Sequence, residues 1–323
     1  MHKPMNEKIL NKINRALERS KNTDYATYAP VTIETLQKRL SEELDWIDAD
    51  PGRECLIVLM CELVSEMRRS GVVVNPGYYF FPYSYLLYLA GVTHANPVEW
   101  DLPFSSFSRL VYDGAVIPFE AGTDCLEVAR KVFSDRENEF VTETKAGLFE
   151  ITFIDGEELR NVKLRIKTNA KLDKFRRTLK DGWHSLDEAT LKLFSRGATE
   201  GTIFFESDKM KEWLFDFDPE SMSDLVLLNA IQSPGRMQLF EKILAGKRNP
   251  DTITVYEDAA INRALSDSYG VPVYQEQAIL LGDKAGYPKF PPFQNLVPKG
   301  HFIGCTMIAV EALWPWRNKT KLK

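Results

Sequence analysis

The segment VVVNPGYYFFPYSYLLYLAGV, Val72 to Val92, constrains this chain more than any other. Three β-branched residues in a row read as a short buried strand. Asn-Pro-Gly closes it as a turn, and YSYLLYLAGV resumes as a helix. Just upstream, CLIVLMCELVSEMRRSG reads as a strongly apolar helix that ends at Gly71. Helix, strand, turn and helix in this order demand a core in which helices lie against a sheet. A strand–turn–helix junction is also where chains hold phosphate, because the first N–H groups of a helix lack intrahelical partners. Close backbone approach to phosphate needs Gly and small residues, yet this junction carries Tyr78, Tyr79, Phe80, Phe81 and Pro82.

The chain has 323 residues, 44% hydrophobic and 27% charged, enough for one large globular domain or two modest ones. A net charge of −5 provides no global field for nucleic acid, so any DNA contact must come from a local patch. The four cysteines, Cys55, Cys61, Cys125 and Cys305, form no C-x-x-C pair and have no histidine cluster beside them. Structural zinc and a disulfide framework are not expected; free thiols in a reducing compartment are. The first twenty residues have no apolar core of the kind a secretory signal needs. The longest apolar run, Tyr78 to Val92, is short for a membrane span. These points argue for a cytoplasmic protein with no membrane partner.

Apolar spacing places a surface helix over residues 3–20 and a second over Thr35 to Ile47, with Leu36, Leu40 and Leu44 on one stripe. DADPGRE between that helix and the next reads as a turn. Ala115 to Phe119 reads as a strand and Leu126 to Phe133 as a helix. Gly147 to Ile154 and Asn161 to Ile166 alternate about DGEEL as a hairpin. GTIFFES, Gly201 to Ser207, looks strand-like within an otherwise helical C-terminal half, and KFPPFQNLVPKG is a Pro-rich loop. The fold class is α+β, with a composition shift near residue 170.

Five phrases, in order, resemble the alpha subunit of bacterial DNA polymerase III, the C-family replicative polymerase. They are LLYLAGVTHANPVEWDLPFSSF (Leu86 to Phe107), GTIFFESDKMKEWL (Gly201 to Leu214), SPGRMQLFEKILAGKRN (Ser233 to Asn249), YGVPVYQEQ (Tyr269 to Gln277) and PKGHFIGCTMIAVEALW (Pro298 to Trp314). The resemblance implies a mixed palm sheet of the polymerase-beta-like nucleotidyltransferase type, followed by helical fingers. It implies an N-terminal helix and linker over 1–33, a palm-like domain with reduced thumb over 34–169, and a fingers-like domain over 170–323. The family's phosphoesterase-like, clamp-binding and single-strand-binding domains have no counterpart in these residues.

The family joins nucleotides by two-metal catalysis, in which Mg²⁺ ions clamp the attacking and leaving oxygens. It holds them on a "PD-x-D" strand and a third acid on a neighbouring strand. Aligned on Pro118, the first two acid positions are Phe119 and Ala121; the third, within NVKLRIKT, is Arg165. A guanidinium cannot ligate Mg²⁺. The family's glycine-, arginine- and serine-bearing phosphate loop reads NPGYYFFPYS here, with Pro76, Gly77 and Ser84 remaining, and the fingers arginine is Ser233. No catalytic residue, metal or cofactor is therefore expected. A rebuilt Mg²⁺ site at Glu120, Asp124 and Asp155 is the alternative, against the plainer reading of these as solvated turn and edge acids.

For nucleic acid, KTNAKLDKFRRTLK supplies Lys167, Lys171, Lys174, Arg176, Arg177 and Lys180, with Lys163 just before it. It reads equally as a phosphate track or a solvated face. Arg236, Lys242, Lys247 and Arg248 form a sparser set. Tyr274, Gln275, Lys299 and His301 survive from fingers segments that face nucleotide in the family, or survive as packing. The YYFFPYSY rings are a base-stacking platform or, with no cations interleaved, a filled core. The expected function is an alpha-subunit-like pseudoenzyme that binds DNA or a replication protein. The alternatives are an active divergent nucleotidyltransferase and a protein-interaction module without nucleic acid.

Overall fold

A computed structural model describes residues 31–109, 115–134, 140–155, 158–176, 179, 183–285 and 296–316. It contains two compact units, Met1–Lys180 and Asp181–Lys323. The helix expected over residues 3–20 lies outside the described residues.

In the first unit the helix Ile33–Asp48 is capped by the Thr32 hydroxyl, which accepts from the Thr35 N–H. Its buried stripe is Leu36, Leu40, Glu43 and Ile47. The helix Pro51–Arg69 follows at once, since Asp50 caps it and proline suits a first helical turn. The DADPGRE turn is thus shorter than expected, because its Pro51 begins a helix rather than a loop.

The sheet runs β1 (Val116–Ala121), β4 (Glu158–Thr168), β3 (Leu148–Asp155), β2 (Phe140–Lys145) across its width. β1 and β4 are parallel, with Pro118 opposite Arg165 and Glu120 opposite Lys167; the other pairs are antiparallel. The β3–β4 hairpin forms as the alternation indicates. β2 was not anticipated, although Phe140, Val141, Thr142 and Thr144 favour a strand; pairing with β3 completes it.

Side chains alternate across the sheet. Ile117, Phe119, Ala121, Phe149, Leu164 and Ile166 are buried on one face, against the helices Pro51–Arg69 and Cys125–Ser134. Phe133 of the latter lies 4.8 Å from Phe149, and Phe81 lies 6.0 Å from Phe119. Burying each such side chain is worth about 1.5–3 kcal/mol. The opposite face carries Val116, Arg165 and Lys167 exposed.

The expected VVV strand reduces to one antiparallel bridge, Val74 to Ala121. The Val72 N–H is held by the Met67 carbonyl at the preceding helix end, and Pro76 has no N–H to continue a ladder. FPYSYLLYLAGV, Phe81 to Val92, forms a single 3₁₀ turn, Phe81–Tyr83, and a short helix, Tyr85–Leu89, which stops before Gly91 at φ 73°.

The second unit is helical among the described residues, apart from a bridge between Tyr274 and Val297. Met222–Ile231 and Lys299–Leu313 are apolar nearly all round and pack on each other as its core. Trp213 and Phe240 stack with centroids 4.5 Å apart. GTIFFES is not a strand. Gly201 and Phe204 take φ of 78° and 77°, and the Thr199 hydroxyl donates to the Phe205 carbonyl, so the segment folds as turns. Among the described residues no helix is long and apolar enough to cross a membrane.

Candidate functional site

The strand–turn–helix junction is closed by its own side chains. Asn75 donates through Nδ2 to Glu120 Oε2 at 2.6 Å and accepts at Oδ1 from the Gly77 N–H at 3.1 Å. The Gly77 N–H is therefore taken. The Pro76 carbonyl accepts from the Thr93 hydroxyl and the His94 N–H, both at 2.7 Å.

Ser84 caps the Tyr85–Leu89 helix by accepting from the Leu87 N–H. Its hydroxyl donates to Glu43 Oε2 at 2.7 Å. The Glu43 carboxylate, 1% exposed, also accepts from the N–H groups of Tyr85 (2.7 Å) and Leu86 (2.9 Å) and from Arg39 Nε (2.7 Å). An internal anion thus occupies the helix start, where positive N–H dipoles gather. Sequence reading missed Glu43. Its signal was a carboxylate on the buried stripe of Leu36, Leu40 and Ile47, which only a dense set of donors can hold there.

The acid positions named by alignment do not share a face. Phe119 and Ala121 point into the core, at 1% and 0% exposure, whereas Arg165 points outward. On a parallel pair, the residues that can meet Arg165 are its register partners, Pro118 and then Glu120 beside Lys167. The outer face of these two strands offers one carboxylate, Glu120, and three cations, Lys163, Arg165 and Lys167, of which Lys163 is paired with Glu150 of β3. Glu120 is 7% exposed, hydrogen-bonded to Asn75, and 3.9 Å from Lys167 Nζ. Mg²⁺ takes oxygen ligands at close quarters, and these residues do not fit a metal pair.

The other rebuilt-site acids lie elsewhere. Asp124 accepts from Arg176 at 2.6 Å, and that hydrogen bond holds the guanidinium above its ordinary value. Asp155 ends β3, and its side chain lies outside the described residues. Among the described residues no three His, Cys, Asp or Glu side chains come together to hold a metal.

The cations divide by what they touch. In the first unit Lys163 pairs with Glu150 at 2.7 Å, while Arg165, Lys167, Lys171 and Lys174 are exposed. Arg176 is also 3.6 Å from Asp173. Arg177 and Lys180 lie outside the described residues.

In the second unit Lys247 is drawn inward, paired with Asp224 at 3.0 Å and 4.6 Å from the Phe217 ring centre. Arg236 donates through Nε to the Ala230 carbonyl at 2.8 Å, and burial pulls its guanidinium below the ordinary value. Arg248 donates to the Asp216 carbonyl, and Lys242 is exposed. Tyr274 is 1% exposed; Lys299 lies over its ring at 5.7 Å and is ion-paired with Asp267. Gln275 is exposed and donates to the Leu296 carbonyl, and His301 Nε2 lies 3.6 Å from Cys305 Sγ. Gln277 accepts the Val273 and Tyr274 N–H groups, fixing the retained YQEQ turn from within.

The known proteins this chain resembles fit the same lineage. Residues 160–289 match the family described as the bacterial DNA polymerase III alpha subunit finger domain. The chain is similar to DNA polymerase III subunit alpha of Treponema pallidum, 35% identical over 102 residues, 31% of this chain and 9% of that protein. The subunit of Thermus aquaticus is 28% identical over 188 residues, 54% of this chain and 15% of the relative. That of Bacillus subtilis is 27% identical over 176 residues, 53% and 15%. The chain spans less than a sixth of the length of these relatives. The chain is similar to the alpha subunit of bacterial DNA polymerase III, most plainly over the finger region, residues 160–289.

Proposed function

We propose that this polymerase-related chain binds DNA in a replication setting without joining nucleotides. The observation that carries the reading is the outer face of β1 and β4. There Arg165 lies opposite Pro118, and Lys167 lies opposite Glu120, the one carboxylate of that pair of strands' outer face. A positive surface repels Mg²⁺ and attracts phosphate. On this reading the sheet is a polymerase-beta-like palm, the helical unit is its fingers, and binding requires no metal or cofactor. Replication proteins in the bacterial cytoplasm are the matching partners.

The rebuilt-enzyme alternative is less supported, since Glu120 and Asp124 are engaged by Asn75 and Arg176. Primer extension with Mg²⁺ and all four deoxynucleoside triphosphates tests the choice. The expected result is no incorporation, with primer–template binding that persists in chelator. Template-directed incorporation would reverse it.

A further inference from the structure

We infer that the outer face of β1 and β4, together with the aromatic tip of the Tyr78–Phe80 turn, is a site for single-stranded nucleic acid. This inference deepens the DNA-binding reading and rests on it. The residue run alone argues against a stacking role, because no cation lies among its rings. The fold supplies the cations from another strand.

The Asn75 N–H donates to the Glu120 carbonyl, and the Gly122 N–H to the Val73 carbonyl, so the turn leaves directly from the free edge of β1. Asn75, Glu120 and Lys167 therefore follow one another across the outer face, linked at 2.6 Å and 3.9 Å. Arg165 stands two residues before Lys167 on the same strand and the same face, both exposed. That places two cations about 6.6 Å apart along β4.

The rings at the tip are presented, not buried. Tyr79 is 40% exposed and sits in the left-handed region at φ 57°, a conformation an aromatic residue seldom adopts. Strain of this kind persists only where surrounding structure enforces it, and it gathers at ligand sites. The enforcement is visible: Phe81, Pro82 and Tyr83 are buried just after the tip, and Arg39 binds the Tyr83 carbonyl at 2.6 Å. Tyr79 and Phe80 lie edge-to-face at 4.6 Å, with Tyr78 5.9 Å from Tyr79. A partly exposed ring pair on the turn that Asn75 opens, with Asn75 linked through Glu120 to Lys167, suits unpaired bases, whose faces are free to stack, while the cations take the backbone. Bases within a duplex are already stacked on one another.

The test is fluorescence anisotropy of end-labelled dT20 and of a blunt hairpin duplex, titrated with the full chain over a range of salt. Tyr79→Gly removes the ring and suits the positive φ; Arg165→Glu with Lys167→Glu reverses exposed charge. Circular dichroism melting confirms that each variant folds. The expected result is preference for dT20 over duplex. Tyr79→Gly should weaken dT20 binding about tenfold with the salt dependence unchanged, and the double charge reversal should weaken it and flatten the salt dependence. Binding of dT20 unaffected by both variants overturns the site and leaves the DNA reading standing. The same holds if duplex is bound and dT20 is not. Absence of binding to any nucleic acid overturns both, and binding of an acidic polypeptide such as polyglutamate as tightly as dT20 overturns the nucleic-acid assignment.

Discussion

Glu43 is the side chain on which the Ser84–Leu86 turn most depends. It satisfies one hydroxyl and two backbone N–H groups at 2.7–2.9 Å, and it answers the Arg39 guanidinium. Removing one partner of a buried charged pair strands the other, which costs more than the pair contributes. Glu43→Ala should therefore destabilise the fold by about 3–5 kcal/mol in urea unfolding, and Glu43→Gln, which keeps an acceptor, by less. Cys125 is a second residue whose surroundings decide its chemistry. Burial, with smaller contributions from Asp173 and Asp124, pushes its thiol up to about 11, overriding the backbone N–H groups that favour thiolate. The native chain should leave Cys125 unalkylated by iodoacetamide at pH 8, with rapid labelling once urea unfolds it, as peptide mapping by mass spectrometry would show.

At the level of elements, the β2–β3 turn shows how one residue fixes a strand pair. Gly147 has φ 76°, and a Cβ there would lie 2.4 Å from the Ile166 carbonyl oxygen, a backbone atom with little room to yield. Its N–H is held by Glu143, whose carboxyl the Arg130 fork keeps below the usual range. Gly147→Ala combines a left-handed penalty with a steric one and should cost about 2–3 kcal/mol or more, read as a lowered thermal midpoint. Elements with strong local patterns were legible in the residues. The Ile33–Asp48 helix, the Pro51–Arg69 helix, β1 and the β3–β4 hairpin each follow from apolar spacing, though Ile47 rather than Leu44 completes the buried stripe of the first. The elements that escaped were those decided by neighbours. FVTETK is a strand because β3 pairs with it, and GTIFFES is not one because Gly201 and Phe204 turn the chain. Residue preference alone decides neither, since both segments hold strand formers.

For the whole molecule, charge is the quantity that separates the readings. The chain is net −5, so DNA meets repulsion everywhere except at a local cationic surface. With two main phosphate contacts, Arg165 and Lys167, the log–log slope of single-strand affinity against salt should be near −1.4, from about −0.7 per contact. A slope near zero would mean that the surface is not used. The candidate site itself was half legible. That Phe119, Ala121 and Arg165 cannot ligate Mg²⁺ could be read from the residues alone, because those side chains lack the oxygens it takes wherever they stand. The sequence by itself determined the lineage phrases, the helical periods and the absence of a phosphate-friendly turn, all properties of neighbouring residues. Only the tertiary structure decided which side chains share a face: that Phe119 and Ala121 turn inward while Glu120 joins Lys167, and that Glu43 reaches Ser84. Strand register and helix packing bring residues together across dozens of positions, and a one-residue shift reverses every side chain's face.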